Sequence, residues 1–469
     1  MTLLLALRSL LGRPVRNAVL AGAFGFGVGV MAALLGVGEV ILQQARAPAL
    51  AGGGDLLALG RSGSVANARY LAARVLGAPP LAGRVEAVSP QLRRTLYVVG
   101  GGHATQAAAR GGIPGLEHAV GDPEVAAIAG WRDAPADAAW SRAELPDLLR
   151  AMDRFHEPPR GTPWDGSWAE WLYFNGRAGD ARFYLSFIAG APGADGDHPA
   201  GVRLQLERGG RTENFSAAGR VAAADLLAHA PDLDFPGGSV RLEGARYVVR
   251  LALPREGGGA GIAISGELVV DAAAGRSLPP LVLRGAHGWV SGYVVPVLSG
   301  PLDGALRVHG SEVSFAGGTG YHDHNWGLWR GVTWQWGQVA GPDLSIVWGR
   351  VRPPPAAADP ARVPGVLLAV PDRGEALIAV NITIEESDDP LAGRPAKLAV
   401  SATSAQLDLR LDVDVRAEVR TSLSGSRWFP GGQDVQFLQL EADYAVSGRA
   451  AGRRVSFRAR GSAETFHGR

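Results

Sequence analysis

Between Leu407 and Val419 apolar and charged residues alternate without a break. Leu407, Leu409, Leu411, Val413, Val415, Ala417 and Val419 are separated by Asp408, Arg410, Asp412, Asp414, Arg416 and Glu418. In an extended chain a period of two sends the first set to one face and the second to the other, so this stretch is a half-buried strand. Similar patterns at 203–207, 240–251, 262–270 and 440–446, with glycine-rich turns between them, predict many strands and few helices. That balance is the mark of sandwich or barrel architecture, and the fold class expected is mainly β.

The chain is 469 residues long, 46% apolar and 19% charged, enough for two or three domains with real cores. Lys plus Arg number 46 and Asp plus Glu 45, so no global field argues for nucleic acid or an acidic substrate. The absence of cysteine excludes disulfides, thiolate metal sites and cysteine nucleophiles, and is compatible with either side of a bacterial membrane.

From Ala18 to Val37 no residue is charged; Arg8, Arg13 and Arg16 precede the stretch and Glu39 follows it. Its length spans a bilayer. The three arginines predict a cytoplasmic N-terminus and place the rest of the chain outside the cytoplasm, with the helix as an inner-membrane anchor. A cleaved signal peptide is the rival, with small residues at Ala47, Ala49 and Ala51 for a peptidase; its apolar region is normally shorter, about 7–15 residues.

Four segments are expected: an anchor over 1–44, a stalk or small α+β segment over 45–153, and two β domains over 154–330 and 331–469. Within the second, Leu145, Leu148 and Leu149 recur at helical spacing. Prolines 158, 159 and 163 then mark the change to β character. An internal repeat supports two copies of one β unit. Trp171 and Tyr173 precede Asp180 and the run Phe183–Ile188, while Trp334 and Trp336 precede Asp343 and the run Leu344–Trp348. The offset of 163 residues fits one small β-barrel, whose base two aromatics at i and i+2 would plug or whose cavity they would line.

The densest chemistry lies in Gly318–Gly327, where aromatic, acidic, imidazole and amide side chains sit between glycines. If the stretch is extended, Tyr321, Asp323 and Asn325 share one face and His322, His324 and Trp326 the other. Asp323 is the candidate catalyst. A carboxyl buried in an apolar barrel stays protonated near neutrality and can serve as a general acid. Structural packing is the expectation for His322, His324, Asn325 and Trp326 if they face away from Tyr321 and Asp323. Trp326 is nevertheless carried as a candidate ligand-binding aromatic with Trp171, Tyr173, Trp334 and Trp336, although core packing explains each of these equally well.

The string GYHDHNWG, with SWAEWLYFNG at 167–176 and AHGWV at 286–290, resembles the carotenoid 1,2-hydratase (hydroxyneurosporene synthase) and AttH-like family. The likeness covers about Arg154 to the C-terminus. It implies two lipocalin-like β-barrels, an apolar isoprenoid or lipid ligand bound at the barrel junction and hydrated, isomerised or cyclised there with Asp323 as proton donor, and an active cavity to which His287, Trp289, Tyr321 and Asp323 contribute. In such a cavity Trp289 would face a carbocation, worth roughly 0.5–2 kcal/mol. Tyr321 or His287 would orient the acid or the water, and no cofactor is required. The pair His287 and Trp289, like Tyr321 and Asp323, has the spacing that points both members to one face of a strand. RSLLGRPVRNAVLAGAFG at 8–25 and ARAPALAGGGDLLALG at 45–60 resemble the start of MacB/FtsX-type ABC permeases. One span makes no channel, so this second likeness implies a partnership with, or origin beside, such a transporter. The non-catalytic alternative is a lipid-binding accessory protein of an AttEFGH-like system.

Other chemistries fit less well. His322 and His324 form a His-x-His pair, but the positions where a cupin supplies glutamate hold Gly327 and Leu328, and no metal is expected. No GxSxG lies between a strand and a helix, and the glycine clusters at 52–54, 100–102 and 257–259 lack the context of a phosphate loop.

Overall fold

The computed structural model describes residues 12, 14–19, 22–31, 34, 56–58, 68 and 71–72. It then describes 84–137 apart from 101–102, 123–124, 126–127 and 129, and 144–468 apart from 260, 373–375, 390–393 and 423–434. Glu39, Ala47, Ala49 and Ala51 lie outside the described residues. The chain forms two compact units, residues 1–65 with 75–141 and residues 66–74 with 142–469.

In the first unit Pro14–Met31 is a helix of 18 residues, long and apolar enough to cross a membrane. The unit also holds an antiparallel hairpin of β1 (Gln91–Gly100) and β2 (His103–Gly112), followed by α1 (Pro114–Ala119). The Arg110 guanidinium reaches the buried carboxylates of both Glu117 and Asp122.

The second unit opens with α2 (Leu145–Met152), whose start is set by a Glu144–Asp147 capping box and a proline in the first turn. Its apolar stripe is the one read from the leucine spacing. Leu149 and Met152 bury it among the β cores, so the helix assigned above to the stalk is packed with the β region that follows.

Twelve strands make the first sheet: β3 (Trp168–Ala178), β4 (Ala181–Gly190), β5 (His198–Arg208), β6 (Arg211–Val221), β7 (Leu233–Phe235), β8 (Gly238–Glu243), β9 (Arg246–Pro254), β10 (Ile262–Asp271), β11 (Leu278–Arg284), β12 (Val290–Val308), β13 (Ser311–Ser314) and β14 (Gly318–Leu328). The order is β6-β5-β4-β3-β14-β12-β10-β9-β8-β7, with β11 and β13 also paired to the 19-residue β12. The sheet rolls around one core that runs from Leu172, Phe183 and Phe187 to Tyr247, Leu268 and Phe315. Its ladder does not close as a full barrel would. The edges are a three-residue β7 and a β6 that leads into α3 (Ala223–His229), and an isolated bridge from Phe215 to Arg255 joins β6 to the end of β9.

The second β body is a closed barrel of β15 (Thr333–Ala340), β16 (Leu344–Arg352), β17 (Gly365–Pro371), β18 (Leu377–Asp389), β19 (Arg394–Thr403), β20 (Leu407–Ser422), β21 (Val435–Ala450) and β22 (Arg453–Gly468). β22 returns to β15 from Gln335–Thr465 to Gln338–Ser462, which leaves no open edge. Leu407, Leu409, Leu411, Val413 and Val415 point into its core with Trp348 and Tyr444, while the intervening charges face out, as the alternation predicts. Each buried leucine contributes about 1.5–3 kcal/mol.

Trp334 and Trp336 correct one expectation. On β15 Val339 enters the barrel core, so the opposite parity, Trp334, Trp336 and Gln338, faces out of the barrel and packs on the outer face of the first sheet. The aromatics expected to plug or line a barrel cavity instead build the junction between the two β bodies.

Candidate functional site

β14 is extended through the glycine-bounded motif and its side chains divide as the period of two requires. Toward the junction, Tyr321 Oη donates to Asp323 Oδ2 at 2.7 Å, and Asn325 Nδ2 donates to Asp323 Oδ1 at 2.8 Å. Tyr293 Oη lies 2.8 Å from Tyr321 Oη, and Trp336 Nε1 donates to Tyr293 Oη at 3.2 Å. An indole nitrogen only donates, so Tyr293 Oη accepts from Trp336, and hydrogen bonds link Trp336 through Tyr293 and Tyr321 to Asp323. Asn325, expected above to be packing, belongs to this chain.

The sheet is irregular beside Asp323. β12 and β14 pair from His324–Val294 and again from His322–Val297, with a register shift that leaves Asp323 opposite the bulge at Val295 and Pro296. Proline carries no N–H for the ladder and is accommodated at such a bulge. On its other side Asp323 is paired with Tyr173 of β3.

Tyr173 brings in a second carboxyl. Its Oη donates to Glu464 Oε1 at 3.2 Å, and Glu464 stands opposite Trp336 in the barrel wall. Burial pushes the Glu464 carboxyl up to about 7, against hydrogen bonds from Tyr173 and Gln439 that oppose the rise. Burial also raises Asp323 well above the ordinary carboxylate range, the Tyr321 hydrogen bond opposing and the nearby Glu464 charge adding to the rise. Desolvation likewise lifts Tyr293, Tyr321 and Tyr173, each reinforced by these acids.

Aromatic rings form the surrounding wall. Tyr173 and Tyr321 meet Trp336 edge-on at 6.1 and 5.7 Å, and Trp171 lies 6.2 Å from Trp334 and 4.7 Å from Trp329. Trp171, Trp334 and Tyr293 are partly buried, whereas Tyr321 and Asp323 are sealed. The outlet of the hydrogen-bonded chain is therefore Tyr293, with the half-buried Glu464 on the facing wall.

Three expected site residues lie elsewhere. Gly285 to Gly288 form a turn, not a strand; His287 sits in it with φ 55° and is exposed. Trp289 is buried with Trp168 and Trp329 in a cluster on which Trp171 and Trp334 also pack, and its Nε1 donates to Leu328 O at 2.9 Å. The turn breaks the period that would have pointed both to one face. Trp326 is on the far face of β14, flat over Gly292, where a Cβ would come within 2.0 Å of its ring. It is stacked on His156 at 4.1 Å and does not reach the junction.

That far face holds a second polar cluster. His322 contacts Tyr173 O at 3.0 Å and Asp153 Oδ2 at 3.1 Å, and Tyr247 Oη donates to the same Asp153 oxygen. His324 Nε2 and His156 Nδ1 both meet Glu170 Oε1, at 2.9 and 2.8 Å. Burial alone would raise Asp153, but the charge and hydrogen bond of His322, with His324, hold it well below the carboxylate range. Burial would lower His324, but Asp153 and Glu170 push it up to about 9. The two histidines of the His-x-His pair thus share Asp153, His324 alone turns its Nε2 to Glu170, and the group with metal-ligand spacing is His156, Glu170 and His324.

Tyr293 and Glu464 were missed in the sequence because no local pattern links them to Asp323. For Glu464 a weak signal exists, since Ser462 and Glu464 set polar residues on the face of β22 opposite to the core residue Ala463.

No family model matches the chain, and no curated protein matches it. Among solved structures it is similar to CghA, at 14% identity and a TM-score of 0.45 over 67% of this chain and 94% of that one. It is similar to an AttH-type protein from Nitrosomonas europaea, at 14% and 0.41 over 66% and 97%, and to kievitone hydratase from Nectria haematococca, at 12% and 0.41 over 67% and 96%.

Proposed function

We propose that the junction binds an apolar, unsaturated ligand of isoprenoid or lipid type and carries out acid–base chemistry on it, a hydration or a shift of a double bond. The observation that supports this most is the hydrogen-bonded chain Trp336–Tyr293–Tyr321–Asp323, which joins a sealed carboxyl to a partly open phenol on an aromatic wall. With Asp323 protonated the two phenol O–H groups turn, so that Asp323 donates to Tyr321 and Tyr321 to Tyr293; the Asp323 proton then passes to Tyr321, the Tyr321 proton to Tyr293, and the Tyr293 proton to the alkene carbon. The cation left on the neighbouring carbon is met by the Trp336 and Tyr173 faces. In hydration Glu464 takes a proton from the attacking water, so that H and OH are added and the site has exchanged one proton between its two carboxyls. In a double-bond shift Glu464 takes the proton from the adjacent carbon instead. The proposed attachment to a membrane is the N-terminal helix, with the β bodies outside the cytoplasm.

The test is mass spectrometry of ligand extracts after incubating the full-length chain with polyenes and membrane lipids. A product isomeric with its substrate, or heavier by one water, is expected from the wild type. It should fall at least 100-fold in Asp323→Asn and Tyr293→Phe with ligand binding retained. Apolar ligand returned unchanged by wild type and variants alike overturns the enzymatic reading and leaves a carrier, the role a transporter accessory protein would have.

A further inference from the structure

We propose that His156 Nδ1, Glu170 Oε1 and His324 Nε2 form a site for one divalent transition-metal ion, of which zinc is the type. The three atoms come from three separate segments: the turn after α2, β3 and β14. All lie within 4.8 Å of one another. Glu170 Oε1 stands 2.8 Å from one imidazole nitrogen and 2.9 Å from the other. Two imidazoles and a carboxylate with one position left for water are a known zinc donor set, with bonds of about 2.0–2.2 Å. A slight opening of the present spacing admits such an ion.

The surroundings are those of a supported ligand set. The His156 backbone N–H donates to both Glu170 oxygens, at 3.2 and 3.0 Å, and Trp326 stacks on the His156 ring with 12° between planes. His324 Nδ1 faces Asp153 Oδ1 at 3.6 Å, too long for a hydrogen bond, and both atoms are buried without a hydrogen-bond partner. A carboxylate that accepts from the second nitrogen of a ligating histidine is the usual device for orienting it, and this ion pair would become one on closing by a few tenths of an ångström. Among the described residues no arginine or lysine is paired with Glu170 or Asp153, so the negative charge is left to histidine and to the ion. Glu170 and His324 are closed off, whereas the His156 side chain is 29% exposed, which gives the ion its way in and places the open position on that side. The ion would tie the segment after α2 to the two central strands of the first sheet. The site lies on the face of β14 away from the junction and stands or falls independently of the chemistry proposed there.

The full-length chain, stripped with a chelator, is mixed with excess zinc chloride, passed over a desalting column and analysed for bound metal. One equivalent per chain is expected for the wild type and for His287→Asn, which removes a distant exposed histidine. Less than a tenth of an equivalent is expected for His156→Ala, whose position is open enough to tolerate truncation. Cobalt(II) supplies a reading that needs no variant: bound at this site it should give visible absorption that zinc displaces. No retained zinc in the wild type, equal retention in His156→Ala, or cobalt that gives no displaceable absorption would each overturn the assignment.

Discussion

Asn175 Nδ2 donates to Gln338 Oε1 at 2.9 Å, and the two residues hold the same place in the two repeats, 163 positions apart. Trp171 meets Trp334 and Tyr173 meets Trp336 with the same offset, at 6.2 and 6.1 Å. The opening strands β3 and β15 therefore pack on each other through equivalent residues, and the candidate site is what this self-contact encloses. Asn175 is almost fully buried, so removing its partner strands a desolvated amide. Asn175→Ala and Gln338→Ala should each destabilise by about 1–3 kcal/mol, and the double variant by about 0.5–1.5 kcal/mol less than their sum. Denaturant unfolding of the four proteins checks this; strict additivity would show that the pair does not hold the junction.

Glu464 makes stability depend on pH. Its carboxyl rises from 4.5 to about 7 on folding, so the folded state binds the proton more tightly. The contribution is fully present below pH 4.5 and is lost as pH rises through about 7, a change of about 3 kcal/mol. Between pH 5 and 8 the wild-type Tm should fall relative to Glu464→Gln, which carries no titrating group. Parallel curves for the two proteins would remove Glu464 from the titration.

The barrel wall can be tested with neighbouring positions of opposite parity. Leu411 is in the core, and Leu411→Ala should cost about 2–5 kcal/mol. Asp412 faces out and is contacted by Arg410 at 2.9 Å, an exposed pair of little worth, so Asp412→Ala should stay within about 0.5 kcal/mol of the wild type. Chemical denaturation separates these outcomes easily, and a reversed order would mean that the strand is turned over.

His287 and Trp289 should be silent in any turnover assay that Asp323→Asn abolishes. His287→Asn keeps a residue that tolerates positive φ, and neither stability nor rate should change measurably. Trp289→Phe removes the hydrogen bond to Leu328 O and should lower stability by about 1–3 kcal/mol with its rate unchanged. A rate loss in His287→Asn comparable with that of Asp323→Asn would return this turn to the site.

Much of the fold was legible because strand character is local. The run Leu407–Val415 assigned its own faces, up to a register shift beyond which Ala417, expected inside, is exposed; the motif at 318–327 divided Tyr321 and Asp323 from His322 and His324, and the leucines of α2 showed its buried stripe. Local periodicity fails where the backbone leaves the regular geometry it assumes. Glycines around His287 turn the chain, and Trp289 goes to a different cluster from the one its spacing implied.

What the sequence by itself determined is therefore which residues share a face, since a period of two is a property of the extended backbone. Which face meets which, and what enters the space between, was decided by the tertiary structure. Glu464 lies 141 residues beyond Asp323, and His156 and Glu170 lie more than 150 before His324, yet register and the packing of one β body on another bring each set together. Such meetings rest on the summed burial of long strands and not on any preference of the residues that meet, which is why neither the second carboxyl nor the His156–Glu170–His324 group could be read from the motif.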